Sequence, residues 1–241
     1  MRVVLIPGFT QTSSSWDAVR AALPERFEIR ATDVPIGHDF DATAAALGDA
    51  GGHAVYVGYS MGGRLALRLA VDRPELVEGL VLVSASPGLA DSREREARRS
   101  ADDALAAEIE NIGVDAFLDR WLAQPLFAGV PTDAPGLAER RAFSAPDLAT
   151  VLRRLGTGVQ ESLWDRLEQL RMPVLLVTGT GDAKFDGIAA AMNELISTAS
   201  HVRIDGGHAL PLEAPAGLAV AITHFVDDVA SADDHDGGSS L

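Results

Sequence analysis

Short apolar stretches rich in β-branched residues recur along this chain, with helical patterns between them, and this alternation narrows the fold more than any other feature. Residues 3–6, 27–31, 54–57, 80–84, 174–178 and 202–204 form near-continuous apolar runs too short to be helices. A strand with one wet face alternates polar and apolar side chains; continuous runs suit strands covered on both faces. Helical periodicity fills the gaps at 12–23, 41–50, 61–72, 187–198 and 215–229. The alternation predicts an α/β fold, with a mainly parallel sheet of about six strands flanked by helices.

One stretch departs from it. Residues 88–170 read as helical throughout, punctuated by Pro125, Pro131, Pro135 and Pro146. A helical insertion between two parallel strands is expected to cap the sheet's carboxyl edge, where ligands bind in such sheets. The predicted organisation is therefore a core of 1–87 and 171–230, a helical cap of 88–170, and a tail of 231–241. The tail's polar, glycine-rich composition predicts disorder.

With 241 residues, 47% of them hydrophobic, the chain can bury a core without staples. It has no cysteine, which excludes disulfides, thiolate metal sites and a cysteine nucleophile. No pair of its six histidines has metal-ligand spacing of the HExxH kind, and no metal or organic cofactor is expected. A formal charge of −15 argues against nucleic acid and anionic membranes as partners, since both would repel it. The apolar run before Pro7-Gly8 is too short for a signal peptide, and no window approaches a membrane span. A cytoplasmic protein acting on a small molecule is the expectation.

The chemistry is carried by Gly58-Tyr59-Ser60-Met61-Gly62-Gly63, which follows one predicted strand and opens a helix. This is G-x-S-x-G in the strand–turn–helix setting that presents a serine on a tight, strained turn. A serine needs a base, and the chain order Ser, then Asp or Glu, then His directs the search. Asp182 lies just past the strand at 174–178, and His208 follows the last strand on a glycine-rich loop. All three fall at carboxyl ends of strands, hence on one edge. His208 would take the proton of Ser60, while the acid fixes the imidazole's tautomer. Asp205 is the nearest competitor for the acid, but it sits on the histidine's own loop, so Asp182 is preferred. The other five histidines read as surface residues. The backbone N–H groups of Met61 and Phe9 are the expected oxyanion donors.

On these motifs the chain resembles the α/β-hydrolase superfamily over its full length. Within it, the chain resembles the 2-succinyl-6-hydroxy-2,4-cyclohexadiene-1-carboxylate synthases of menaquinone biosynthesis. The matching residues are Gly-Tyr-Ser-Met-Gly-Gly-Arg at 58–64, Ser86-Pro87-Gly88-Leu89, Phe117, Trp121, Gln124-Pro125-Leu126-Phe127, Gly156-Thr157-Gly158, Gln160, Asp182, Lys184-Phe185 and Gly207-His208. Pro7 stands where that family has a histidine. The resemblance implies elimination of pyruvate from a cyclohexene polycarboxylate, with the triad serine acting as a proton-abstracting base. It further implies carboxylate contacts from Arg64, Arg98 and either Arg140 or Arg141, with Tyr59 and Trp121 lining the pocket. Arginine suits this task because its planar fork can hold a carboxylate through two hydrogen bonds.

Each residue also has a plainer reading. Glu94 and Arg98 stand at i,i+4, reason enough for an arginine on an exposed helix. Trp121 could belong to the cap's own core, and Lys184 could orient the Asp182 loop. Two further functions fit the same motifs: hydrolysis of small esters, lactones or C–C bonds through an acyl-serine, and ligand reception without catalysis.

Overall fold

The computed structural model describes residues 1–236. Six strands form one sheet in the order β2-β1-β3-β4-β5-β6: β1 (Arg2–Ile6), β2 (Glu28–Ala31), β3 (Ala54–Tyr59), β4 (Val77–Val83), β5 (Val174–Gly179) and β6 (Ala199–Ile204). Every neighbouring pair is parallel. Successive side chains point to opposite faces, and both faces are apolar. Val3, Leu5, Val55 and Val57 meet α1 (Asp17–Ala22) and α9 (Pro215–Asp236) through Val19, Leu218, Ile222 and Val226. Val4, Ile6, Tyr56 and Leu80 face α2 (Phe40–Gly51) and α3 (Met61–Asp72) through Leu47, Leu65 and Leu69. This double cover is why the strands carry unbroken apolar runs.

The chain moves from β1 outward to β2, then crosses back to place β3 on the other side of β1. Strand order thus reverses between β1 and β3. Connections leave their carboxyl ends in opposite directions there and open a crevice. The turn after β1 carries Phe9, and the turn after β3 carries Ser60.

Several boundaries differ from the sequence reading. The helix expected at 12–23 is a 3-10 turn, Ser13–Trp16, followed by α1, with Trp16 fully buried. Helix α7 (Ala183–Leu195) begins four residues before the expected start at 187, because the Asp182 carboxylate accepts from Phe185 N–H and caps it. Strand β6 begins three residues before the expected 202. Its residues are partly exposed in alternation at the sheet edge, so its apolar signal is weak. The tail expected to be disordered from 231 instead continues α9 to Asp236; residues 237–241 lie outside the described residues.

The insertion between β4 and β5 holds α4 (Ser92–Ile112), α5 (Val114–Leu122) and α6 (Ala145–Leu155). It has a core of its own, built from Ala106, Ile109, Phe117, Leu118, Leu148, Ala149 and Leu152. It is not helical throughout. Between α5 and α6 the chain makes 3-10 turns at Pro125–Phe127 and Glu139–Ala142, because closely spaced prolines lack the N–H that a continuous helix needs. Helix α8 (Leu210–Glu213) is a single turn before α9. Among the described residues no helix is long and apolar enough to cross a membrane.

Candidate active site

Ser60 occupies the turn from β3 into α3 with φ 51° and ψ −108°, a conformation that ordinarily costs an L-residue about 1–3 kcal/mol. Backbone packing enforces it. A Cβ on Gly58 would collide with the Gly62 carbonyl, and one on Gly62 would run into the carbonyl oxygens of Ile6 and Pro7. Ser60 N–H donates to Val83 O at 2.9 Å, which ties the turn to the end of β4. The hydroxyl is thereby held above the sheet edge at the N-terminus of α3.

His208 reaches this hydroxyl from the loop after β6. Its Nε2 lies 3.4 Å from Ser60 Oγ, and its Nδ1 lies 2.7 Å from Asp182 Oδ2. The first distance is at the long end of the hydrogen-bond range. Histidine and aspartate side chains are both 4% exposed. Asp182 uses its other oxygen, Oδ1, to cap α7, so both carboxylate oxygens are engaged. Phe185 packs on the imidazole with ring centres 4.5 Å apart, and Tyr59 lies 5.5 Å away. Asp205, the competing acid, accepts from Thr180 Oγ1 at 3.3 Å instead.

Sequence reasoning missed what holds the histidine loop. Glu213, on α8, accepts from Gly207 N–H at 2.6 Å and from Ala209 N–H at 2.8 Å, bracketing His208. An acid five residues past a histidine carries no recognisable motif. Of the histidines expected at the surface, His201 is instead buried along its side chain, with Nε2 2.7 Å from Thr178 Oγ1.

The loop after β1 closes on itself: Gln11 N–H donates to Gly8 O, and Gly8 N–H donates to Gln11 Oε1, both at 3.2 Å. Between them Phe9 N–H has no hydrogen-bond partner among the described residues, and neither has Met61 N–H.

The insertion roofs these groups and leaves a cavity of about 460 Å³. Ser60 and His208 lie in its wall with Phe9, Tyr59, Met61, Arg64, Arg98, Trp121 and Lys184. Tyr59 is buried, and burial pushes its hydroxyl pKa upward. Trp121 serves in both of its expected places. It stacks on Phe117 at 5.6 Å and meets Phe9 edge-on at 5.5 Å, yet also faces the cavity. Arg64 is 8% exposed, and its fork donates to Gln160 Oε1 at 3.0 Å and Leu155 O at 2.7 Å. Burial, aided by repulsion from Arg98, lowers its pKa to about 10, against a smaller pull from Asp102. Arg98 donates through Nε to Asp102 Oδ1 at 2.8 Å. Lys184, for which the sequence also allowed a plain loop-orienting role, is a third cation on the wall, with Nζ 5.3 Å from the Phe185 ring centre.

The expected third arginine is not there. Arg141 lies at the surface with its fork taken by Asp115 at 2.9 Å and Asp119 at 2.6 Å, both on α5. Arg140 is 1% exposed and does not line the cavity; its Nη1 donates to Thr10 Oγ1 at 3.3 Å, behind the Phe9 loop. Among the described residues no group of three or more His, Asp or Glu side chains could hold a metal ion.

A parallel sheet with a serine on a strained β3–α3 turn and a roofing insertion defines a class of protein, and the chain belongs to the Alpha/beta hydrolase family, which it matches over residues 3–221. Among its relatives is a Bacillus subtilis (strain 168) protein provisionally named 2-succinyl-6-hydroxy-2,4-cyclohexadiene-1-carboxylate synthase. It is 32% identical over 94% of this chain and 90% of its own length. The 2-succinyl-6-hydroxy-2,4-cyclohexadiene-1-carboxylate synthase of Citrobacter koseri is 32% identical over 70% of this chain and 67% of its own. Among solved structures, MenH from S. aureus matches with a TM-score of 0.88 at 27% identity, covering 95% of this chain and 94% of that one.

Proposed function

We propose that Ser60, His208 and Asp182 act as a catalytic triad that eliminates pyruvate from a cyclohexene polycarboxylate, giving 2-succinyl-6-hydroxy-2,4-cyclohexadiene-1-carboxylate. The observation that carries this reading is the set of cations on the cavity wall. Arg64 and Lys184 face the space above Ser60 without a carboxylate partner among the described residues, and Arg98 shares only Asp102. In a protein of charge −15, cations gathered in one cavity mark it for an anion. The names of the relatives point to the same substrate class.

In this reading His208 Nε2 draws the proton from Ser60 Oγ, and Asp182 steadies the imidazolium that forms. Ser60 Oγ removes a proton from a ring carbon, and the electron pair left behind forms the new ring double bond as the C–O bond to the three-carbon group breaks. His208 returns its proton to the departing enolate, which leaves as pyruvate. The N–H groups of Phe9 and Met61 receive the oxygen on which negative charge grows, and Arg64 with Arg98 holds the carboxylates. No step needs a metal or cofactor, so exhaustive dialysis against a chelator should leave turnover unchanged; a lasting loss would refute this point.

The same free amides beside Ser60 also favour a second reading, hydrolysis of small esters, lactones or C–C bonds through an acyl-serine. Steady-state assay with the pathway intermediate beside short p-nitrophenyl esters separates the two. Turnover of the intermediate with slow ester cleavage supports the elimination. Fast ester cleavage with a burst, and none of the intermediate, overturns it.

A further inference from the structure

Arg64 is a buried guanidinium held in place by neutral acceptors alone. Its Nη1 donates to the amide oxygen of Gln160, and its Nη2 to the backbone carbonyl of Leu155. Both acceptors come from the insertion, about ninety residues along the chain from Arg64. Gln160 is 1% exposed, more deeply buried than the arginine it holds, and lies outside the cavity wall. Its Nε2 is buried and has no hydrogen-bond partner among the described residues. It points toward Gly88, where a Cβ would stand only 3.2 Å away.

This arrangement is costly as it stands. A buried cation with no carboxylate bonded to it is unfavourable, and so is an amide N–H₂ that donates to nothing. A carboxylate at this position would cure both. It would pair with Arg64, and it would replace an N–H₂ group that has no acceptor to lose. Glutamate is nearly isosteric with glutamine, so shape does not explain the amide. What the amide preserves is the charge of Arg64: it fixes the fork in direction while leaving the positive charge uncancelled. Arg98, which already has Asp102 within 2.8 Å, shows the other solution in the same cavity.

We propose that Gln160 is a positioning residue that aims Arg64 into the cavity without neutralising it, which keeps one full positive charge for an anionic group of the substrate. The inference deepens the reading of the cavity as a polycarboxylate site and rests on it for the identity of the anion.

The test compares Gln160→Glu and Gln160→Met with the wild type in two measurements. The first is thermal unfolding, which does not depend on any substrate. Gln160→Glu should raise Tm by about 2–4 °C, since a gain near 1 kcal/mol moves a chain of this size by that much. The second is affinity for a generic ring polycarboxylate, benzene-1,3,5-tricarboxylate, by calorimetry, with KM and kcat for the pathway intermediate. Gln160→Glu should weaken tricarboxylate binding and raise KM by roughly 10-fold or more, with kcat changed much less. Gln160→Met frees the fork but leaves its charge, so it should raise KM by less than the glutamate variant. A variant that is both more stable and weaker toward anions is an outcome that loss of folding cannot mimic. Unchanged anion affinity in a stabilised Gln160→Glu, or a Tm below that of the wild type, would overturn the inference. If the wild type itself binds no tricarboxylate and ignores the intermediate, the polycarboxylate reading fails instead, and the Tm rise alone would then show the charge balance at Arg64.

Discussion

With Arg98 tied to Asp102 and Arg64 held only by neutral oxygens, the two arginines should not contribute equally to binding an anion. Arg64→Ala should lower kcat/KM for the polycarboxylate by roughly 10–100-fold, the range of one charge-assisted contact. Arg98→Ala should cost less and should also destabilise the fold, because Asp102 would be left buried without its cation. A neutral p-nitrophenyl ester assayed beside the intermediate should be nearly indifferent to Arg64→Ala; equal losses on both substrates would assign Arg64 to the architecture of the roof. For the proposed triad, Ser60→Ala and His208→Ala should each remove several orders of magnitude of turnover and the double variant little more, as residues acting in one unit do. Fully additive losses would contradict the assignment. These three positions were legible in the sequence because each is pinned to the carboxyl end of a strand, so chain order alone brings them to one edge. Arg140 and Arg141 were not, because they lie in the irregular stretch between α5 and α6, where no helical period says which neighbour turns inward.

Helix α8 and the turn after β3 show how short elements hold His208 and Ser60 in place. Glu213 secures the amides on either side of His208, so Glu213→Ala should lower kcat by about tenfold or more while leaving substrate affinity largely intact. Glu213→Gln, which keeps one acceptor, should fall between; a change confined to KM would assign Glu213 to binding instead. Gly62→Ala would force a Cβ into the backbone of β1's end, and urea denaturation should register a loss of roughly 1–3 kcal/mol. At the other edge, His201 on β6 turns its ring toward Thr178 of β5 and Asp186 of α7, with burial and then Arg203 lowering its pKa below the ordinary 6.5 while Asp186 opposes. A depressed folded-state pKa means the unfolded chain takes up the proton first, so this contribution to stability is intact above pH 6.5 and declines as pH falls below it. His201→Gln should flatten that part of the Tm–pH curve, and an unaltered slope would discount the histidine. Element types were readable wherever both sheet faces are covered. Boundaries failed where one side chain decided them, as Asp182 does by capping α7 ahead of the apolar pattern, or where β6 at the edge has no fully buried residue and so only a weak apolar signal.

Across the whole molecule, the proposed reacting groups belong to the sheet and its turns, whereas much of the roof belongs to a single insertion with its own small core. Two bodies of unequal burial should open separately. Hydrogen exchange should be faster across 114–143 than in β3 and β4 by about 100-fold or more, because the latter are released only by global unfolding. Uniform protection would show one cooperative unit. The insertion's placement was legible from the break in strand–helix alternation; its inner path was not, since prolines say where a helix stops and not where the chain goes next. The two ends of the insertion return to β4 and β5, strands already bonded to each other from Leu80 and Val174 onward. The sheet therefore closes the same way whatever lies between them. Mutation can explore that stretch without changing the strand pairing beneath it, so a lineage built on this scaffold can reshape its cavity by rewriting a single contiguous span of its gene, with the turn that carries Ser60 inherited untouched.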